Sequence, residues 1–293
     1  MTTIGAWRER SRTAAEIAGA SRDAMTRELA SDVELEVAFA RDDAVLLGAL
    51  QRACDAPPGA ILRGTPGCAV RVGPGTLHVL LAIARLDVDE TKILNRHVRP
   101  LLRAIGARYF GRDWLDVGGH PIAHVGFAHA RASGRTVVEA FVAVRTPFAL
   151  GARPSYLGKT PSTLEALRGK KIDDDEIVEA VVRAYIESRT PTPPRTPTPS
   201  PTRTATLTPW AACVDEAIGP VCAGRDEAGR MRVGGEWMAS FDAVTDLEDR
   251  LARGESVRAA VDAAFGAPHT ALFGVRSLGS FAIALERACA PSE

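Results

Sequence analysis

Lysine, closely spaced cysteine pairs and long apolar runs are all scarce in this sequence. Only four of its 36 basic residues are lysines, at positions 92, 159, 170 and 171. No apolar stretch approaches the roughly 20 residues that a membrane-spanning helix needs. The amino terminus lacks the basic-then-apolar order of a signal peptide. We therefore expect no membrane partner.

The sequence also lacks a charge excess, because 36 acidic residues balance the basic ones over 293 residues. A nucleic-acid partner is not expected, since phosphate neutralisation needs a net basic surface. Hydrophobic residues make up 46% and charged residues 25%, which is ordinary for a globular protein and argues against a collagen, a coiled coil or a wholly disordered chain. The length predicts one large domain or two smaller ones.

The five cysteines form no CxxC pair, which argues against a structural zinc site, and we assign no metal. Cysteine usage agrees with a reducing compartment, so a cytoplasmic location is expected. Cys213 and Cys222 could form a disulfide if their backbones approached. For a reducing compartment, two free buried thiols are the favoured interpretation.

Residues 190–209 read TPTPPRTPTPSPTRTATLTP, in which proline and threonine nearly alternate. Proline removes backbone donors and favours extended geometry before it, so neither a helix nor a central strand fits. We interpret the segment as a semi-rigid linker between a main region, residues 1–189, and a tail, residues 210–293. A ligand for an SH3-type domain is the alternative, given the PxxP spacing, and a plain spacer is favoured.

In the main region, apolar periodicity predicts a first helix around Ile17 and then a hairpin, with a half-buried strand from Val33 to Phe39 and a return strand over 44–47. A helical stripe over 93–105 contains Pro100, which should kink it. Further strands are predicted over 77–84, 114–117, 122–128 and 136–144, and a last helix over 177–186.

In the tail, strands on both sides of Gly234-Gly235 predict a hairpin, followed by three helices over 243–252, 256–265 and 277–288. Runs of strands with helices on one side indicate an α+β arrangement and not regular βαβ winding.

Four segments occur in an order that resembles lipoate–protein ligase, within the biotin/lipoate ligase and octanoyltransferase superfamily. Residues 43–51 are similar to the family's "pavviGrfQ" segment. Residues 63–77 lie without gaps on the pattern R-x-[ST]-G-G-G-A-V-[YF]-H-D-x-G-N-L. Residues 111–123 are similar to the stretch ending in G-[RK]-K-[IL]-[AS]-G, and residues 158–164 to the "SvrSrVtnL" segment. The tail from Trp237 onward resembles the family's small C-terminal accessory domain.

The resemblance implies a mixed β-sheet with flanking helices, plus a small α+β accessory domain. It implies ATP-dependent activation of lipoate or another acyl small molecule as an acyl-adenylate, with transfer to a lysine of a lipoyl-type carrier domain. ATP and Mg²⁺ are the cofactors expected if the chain is active. Carboxylate and triphosphate repel each other, so such a pocket needs backbone N–H groups and a cation.

The resemblance assigns ligand-binding roles to residues of the glycine-rich stretch and of the later strand, namely Arg63, Thr65, Gly67, Cys68, Gly75, Gly119 and Ala123. The family's glycine triplet is Pro66-Gly67-Cys68 here, and its His-Asp pair is Val72-Gly73. The position of the family's lysine is Pro121, and no lysine occurs from Ile93 to Gly158. His120 is the candidate catalytic substitute, with His124 as a second.

Each of these residues also has a purely structural interpretation. Arg63 can be a structural arginine, and Gly67 and Gly75 can serve turn geometry alone. Cys68 is either an acyl nucleophile or an inert buried thiol, and the second is favoured because no base is evident beside it. Glu139, near where the family often carries histidine, is equally explained by partial exposure at a strand end.

Three functions therefore remain open. The first is a divergent acyl-activating ligase with arginine or histidine in place of lysine. The second is a non-catalytic relative that binds an acyl ligand or an acylated carrier domain. The third is an interaction module whose pocket is closed by side chains. All three require the stretch from Gly59 to Gly75 and the strand bearing Pro121 to lie together.

Overall fold

The computed structural model describes residues 2–55, 57–187, 189–192 and 208–290. The main region and the first three residues of the predicted linker contain eleven strands in the described residues: β1 (Thr3–Arg12), β2 (Val33–Ala40), β3 (Ala44–Leu47), β4 (Ile61–Leu62), β5 (Val70–Val72), β6 (Thr76–Ile83), β7 (Arg108–Tyr109), β8 (Trp114–Val117), β9 (His120–His129), β10 (Thr136–Ala143) and β11 (Thr190–Thr192). Eight of them form one sheet in the order β11-β1-β2-β6-β10-β9-β8-β7. The pairs that β1 makes with β2 and β11 are parallel and the others antiparallel, so the sheet is mixed.

The helices of the main region begin and end where local signals place them. They are α1 (Ala14–Thr26), α2 (Ile93–His97), α3 (Arg99–Ile105), α4 (Leu164–Arg168) and α5 (Asp174–Ile186). The Asp173 side chain accepts a hydrogen bond from the Glu176 amide at 3.0 Å, a cap that contributes about 1 kcal/mol. Pro100 lies in the first turn of α3, which is why the predicted stripe over 93–105 is divided into two helices.

Helices and a small sheet cover the two faces of the large sheet. Apolar residues of α2, α3 and α5 join alternate residues of β2, β6, β9 and β10 in one core. On the other face lie α1 and a three-stranded sheet in the order β4-β3-β5, and Phe141 of β10 points to this side. Adjacent strand residues point to opposite faces. We call the face that carries Phe141 the ligand-loop face.

Three sequence-based predictions about the strands were wrong. The chain opens with β1, not with a helix. The hairpin does not form, because β2 pairs with β1 and β6, whereas β3 pairs with β4 and β5. The strand β2 is buried on both faces, and its carboxylates Glu34 and Glu36 are paired with Arg27 and Arg12. Alternation of apolar and charged residues along a strand indicates that one face is exposed only when the charged side chains have no buried ion-pair partner.

The tail contains strands β12 (Ala212–Val214), β13 (Val221–Arg225), β14 (Met231–Gly235), β15 (Met238–Ala239) and β16 (Leu272–Phe273), and helices α6 (Phe241–Ala252), α7 (Val257–Phe265) and α8 (Gly279–Cys289). Trp237 is buried against Phe265 and Phe281, with ring centroids 6.1 and 4.8 Å away. The three helices agree with prediction. The hairpin at Gly234-Gly235 does not form, because β14 pairs with β13 and β15 with β16.

Cys213 and Cys222 form a disulfide, so the prediction of two free thiols was wrong. The two residues lie directly opposite each other in the antiparallel pair of β12 and β13, with Cα atoms 4.1 Å apart. The pairing depends on strand register, which composition does not reveal. Of the described cysteines, Cys54, Cys68 and Cys289 are free.

The tail packs on the main region. Arg131 Nη2 lies 3.2 Å from Asp246 Oδ2, Arg153 forms an ion pair with Glu236, and Met238 joins the core between the large sheet and its helices. Most of the predicted linker, residues 193–207, lies outside the described residues. Its first three residues form the edge strand β11 beside β1. None of the described helices has the length and apolarity to cross a membrane.

Candidate functional site

The glycine-rich stretch and the strand with the lysine position pack against each other on the ligand-loop face. The loop between β4 and β5 brings Gly67 over His124 of β9, since a Cβ atom added to Gly67 would lie 2.9 Å from His124 Nε2. Arg63 Nη2 lies 3.1 Å from the same nitrogen. The two segments share one site, as expected, but side chains fill the space between them.

Arg63 holds this loop together from the inside. Its side chain is fully buried, and its Nε atom donates to the Thr65 hydroxyl at 3.0 Å. The same guanidinium lies 3.5 Å from Glu139 Oε2 and donates to three backbone carbonyls, those of Leu46, Pro66 and Cys68. Because these groups satisfy one another, a ligand can reach Arg63 only if the loop moves.

His124 lies between a thiol and a carboxylate. Its Nδ1 atom is 3.4 Å from Cys68 Sγ and 3.7 Å from Asp113 Oδ2. Arg63 can only donate to the other ring nitrogen, so Nε2 accepts and Nδ1 carries the proton. The sequence interpretation missed this base beside Cys68. In this tautomer, however, the proton faces the sulfur, and His124 Nδ1 cannot accept the thiol proton.

Burial keeps this pair neutral. It lowers the pKa of His124 well below its usual range, and the nearby charges of Arg63 and Arg153 add to this effect. Burial also raises the pKa of the Cys68 thiol to about 12. Because the thiolate is the nucleophilic form, Cys68 in this environment is unreactive at neutral pH.

The same three residues are the described group that most resembles a metal site. Potential ligand atoms of Cys68, Asp113 and His124 lie within 4.8 Å of one another. A metal on Nδ1 would move the His124 proton to Nε2, against Arg63, and Arg153 already lies 2.9 Å from Asp113. Mg²⁺ prefers oxygen ligands, of which this group supplies only the carboxylate. The arrangement does not fit a resident metal, so Mg²⁺ would have to enter with a nucleotide.

The other sequence-predicted site residues lie apart from this loop. Gly75 forms the turn before β6 with a φ of 110°, and an added Cβ atom would lie 2.6 Å from Arg145. Ala123 points into the core on the opposite face. His120 Nδ1 lies 2.9 Å from the Thr160 carbonyl, and the Gly119 amide donates to Asp116 at 3.0 Å. Their ligand roles remain predictions.

Glu139 is not partly exposed at a strand end, as one interpretation held. It is buried in the middle of β10, where His78 Nε2 lies 2.8 Å from its carboxylate. The Thr65 hydroxyl also donates to it. Glu139 is thus the counter-charge of Arg63 and a structural part of the loop's support.

A cation that sequence reasoning missed lies beside Pro121. Asp116 is the cross-strand neighbour of Pro121. Lys159 Nζ lies 2.6 Å from Asp116 Oδ2. The ammonium also lies 5.1 and 5.2 Å from the ring centroids of Phe110 and Trp114. Two hydrogen bonds fix the segment here, since the Ser162 amide donates to the Pro121 carbonyl at 2.9 Å and the Thr160 carbonyl accepts from the His120 ring. The sequence signal that could have identified Lys159 was the similarity of residues 158–164, which contain it, to a segment of the lipoate–protein ligase family.

A cavity of about 430 Å³ opens next to Lys159. Residues 147–161 form its described lining, which is largely apolar and includes Leu150, a side chain that is 47% exposed. The charged residues in that lining are both cations, Arg153 and Lys159. Arg153 is itself held by Asp113 and by Glu236 of the tail.

No protein-family model matches this sequence, and no curated protein is similar to it. Comparison with solved structures gives clear similarities. A bi-partite lipoate protein ligase from Thermoplasma acidophilum is 15% identical, with a TM-score of 0.52, and the match covers 67% of this chain and 87% of that one. A lipoate-protein ligase A bound with ATP is 14% identical, with a TM-score of 0.51 and coverages of 65% and 89%.

A third structure, P. falciparum LipL1 in complex with lipoate, is 9% identical with a TM-score of 0.50 and coverages of 85% and 88%. At such identities the likeness shows the fold alone. The chain shares an α+β fold with these lipoate–protein ligase structures, which confirms the predicted fold class and, at the level of the fold, the resemblance stated from the sequence.

Proposed function

We propose that this chain is a lipoate–protein ligase-like enzyme that binds lipoate or a related carboxylic acid, activates it with ATP and transfers the acyl group to a lysine of a lipoyl-type carrier domain. The observation that carries the proposal is the packing of the loop with Arg63 and Gly67 on the strand with His124 and Pro121. An acid-activating pocket of this fold needs both segments on one face. The solved structures to which the chain is similar include a ligase bound with ATP, a ligase in complex with lipoate and a ligase with its E2 lipoyl domain.

The chemistry needs positive charge where two anions meet. ATP would supply the adenylyl group that makes a carboxylate a good acyl donor. Of this chain's own residues, Arg63 is the cation inside the loop, and Lys159 is the cation next to Asp116, the cross-strand neighbour of Pro121. Movement of the loop away from His124 would free Arg63 and the loop amides for an anion.

The tail is proposed to act as the accessory domain of such ligases. It contributes Glu236 to the ion pair with Arg153, at the border of the site. We propose the domain boundaries predicted from the sequence, with residues 190–209 as the linker. The proposed location is the cytoplasm, as expected from the absence of a signal-peptide pattern, although the Cys213–Cys222 disulfide is unusual for a reducing compartment.

A second function is favoured by one observation, the closure of the loop by its own side chains. In that case the chain binds an acyl ligand, or an acylated carrier domain, without turnover. The unreactive Cys68 agrees with this candidate, since it excludes a thioester route at neutral pH.

The decisive experiment is acid-dependent exchange of pyrophosphate into ATP, with lipoate, octanoate and biotin as acids and acid-free reactions as controls. Exchange with any acid supports the ligase. Absence of exchange, together with acid binding by calorimetry, supports the non-catalytic candidate. Absence of exchange, together with no binding of either the acid or an acylated lipoyl domain, contradicts both candidates.

A further inference from the structure

The residues that replace the family's lysine site form a different arrangement of charge. Asp116 is almost completely buried, and its two oxygens contact the Gly119 amide and the Lys159 ammonium. An ammonium has three N–H groups. One is directed to Asp116, so the others remain for a second anion on the open side, where Lys159 is 31% exposed.

The ammonium is also held in place. Phe110 and Trp114 each lie within the distance at which a ring face attracts a cation. Trp114 is buried and fixed by its own hydrogen bond to the Ser155 carbonyl at 3.0 Å. Lys159 therefore gives up little side-chain freedom when it binds a ligand, which favours binding.

The adjoining cavity has the character of an amphipathic ligand site. Its apolar wall includes Pro147, Ala149, Leu150 and Pro161, and its charged residues are cations. The volume of about 430 Å³ lies in the range of small-molecule pockets. The carboxylates that balance these cations, such as Asp113 and Asp116, are buried behind them.

We infer that Lys159 binds the carboxylate of an aliphatic acid whose chain lies in the cavity formed by residues 147–161. The acid site is thereby displaced from the closed loop around Arg63 to the neighbouring cavity on the same face. This inference rests on the proposed function, because that function requires an acid, and it specifies where the acid binds and which cation holds it.

The location is tested by photolabelling the full chain with an octanoic acid that carries a diazirine near its methyl end. After proteolysis and mass spectrometry, we expect the label within residues 147–161. Excess octanoate should suppress the labelling, whereas octanol, which has no carboxylate, should suppress it weakly. Label confined to residues 59–75 would overturn the inference.

The charge is tested by calorimetry with octanoate. Lys159→Gln should weaken binding at least about tenfold, as expected when a charge-assisted hydrogen bond is lost, and Lys159→Arg should retain most of the affinity. The matched control is Lys171→Gln, an exposed lysine remote from the cavity lining, which should bind like the wild type. Equal affinity of Lys159→Gln and wild type would overturn the inference.

Lys159→Gln leaves the buried Asp116 without a cation and can destabilise the fold. The double variant Asp116→Asn with Lys159→Gln removes both charges, so it should fold and still bind octanoate weakly. If it binds like the wild type, Lys159 serves only to neutralise Asp116.

The outcomes separate the inference from the proposed function. Pyrophosphate exchange with label at residues 59–75 keeps the ligase and overturns the displaced site. Label at residues 147–161 without exchange keeps the displaced site and contradicts the ligase. If neither labelling nor exchange is observed, both the displaced site and the ligase are contradicted.

Discussion

Replacement of Arg63 by methionine tests whether this residue supports the fold or binds a ligand. The structure places its guanidinium, fully buried, against three backbone carbonyls, the Thr65 hydroxyl and the Glu139 carboxylate. Methionine keeps much of the volume but removes every donor. The change therefore isolates the polar role of the side chain from its packing.

The expected loss is large. Removal of one partner from a buried, hydrogen-bonded ion pair typically costs about 3–5 kcal/mol, because the remaining charge and carbonyls stay buried without partners. Domains have a total stability of about 5–15 kcal/mol. The free energy of unfolding of Arg63→Met should therefore fall by about a fifth of the total or more.

The measurement is urea unfolding followed by circular dichroism. The matched control is Arg71→Met, since Arg71 lies in the same stretch but pairs with Asp43 at the surface, and such a pair contributes at most about 1 kcal/mol. The double variant Arg63→Met with Glu139→Gln should recover part of the loss, because it removes the unpaired buried carboxylate. If Arg63→Met unfolds like the wild type and only loses octanoate binding, Arg63 is a ligand residue and the structural account is wrong.

Three further predictions concern buried titratable groups and thiols. Burial lowers the pKa of His97 to about 4, below its unfolded value of 6.5, so the unfolded chain binds more protons between these values. Stability should be full above pH 6.5 and decline by about 3 kcal/mol as the pH falls to about 4. In His97→Phe, unfolding titrations should lose the part of this slope that His97 contributes, while the lowered pKa of the buried His124 keeps its own part. A slope equal to that of the wild type would contradict the assignment. Reduction of the Cys213–Cys222 disulfide, which joins residues nine apart, should lower the free energy of unfolding by about 2–3 kcal/mol. The variant with serine at both positions should not respond to reductant, and five reactive thiols in the unreduced, unfolded wild type would exclude the disulfide. Cys68 should react with iodoacetamide only at the rate of unfolding, whereas the two exposed free thiols, Cys54 and Cys289, should react at once. Mass spectrometry counts the labelled thiols, and rapid labelling of all three would contradict the burial of Cys68.

Much of the fold follows from local patterns in the sequence. The strand over 136–144 and the helix after Asp173 have clear periodicity, and the helix has its own cap. Pro100 lies within the apolar helical pattern over 93–105 and has no amide hydrogen for a helix hydrogen bond, so the helix is interrupted there. These features depend on residues within one or two turns of each other, so the sequence states them directly.

The missed features depend on which segments meet. β3 pairs with β5 and not with β2 because both edges of β2 are already paired, with β1 and β6. The disulfide depends on the register of β12 on β13. Lys159 comes close to Pro121 only because it pairs with Asp116, the cross-strand neighbour of Pro121, and the sequence itself has no lysine from Ile93 to Gly158. His124 likewise lies beside Cys68 only after the loop folds over β9.

The docking of the tail changes what the proline- and threonine-rich connection has to do. Arg131, Arg153 and Met238 join the two parts by ion pairs and by shared core, so the parts do not depend on the connection to find their orientation. A backbone cut within residues 193–207 should leave a stable two-piece complex that co-purifies. The connection would then serve to produce the main region and the tail in equal amounts. The folded structure itself would not need the two parts to be covalently joined.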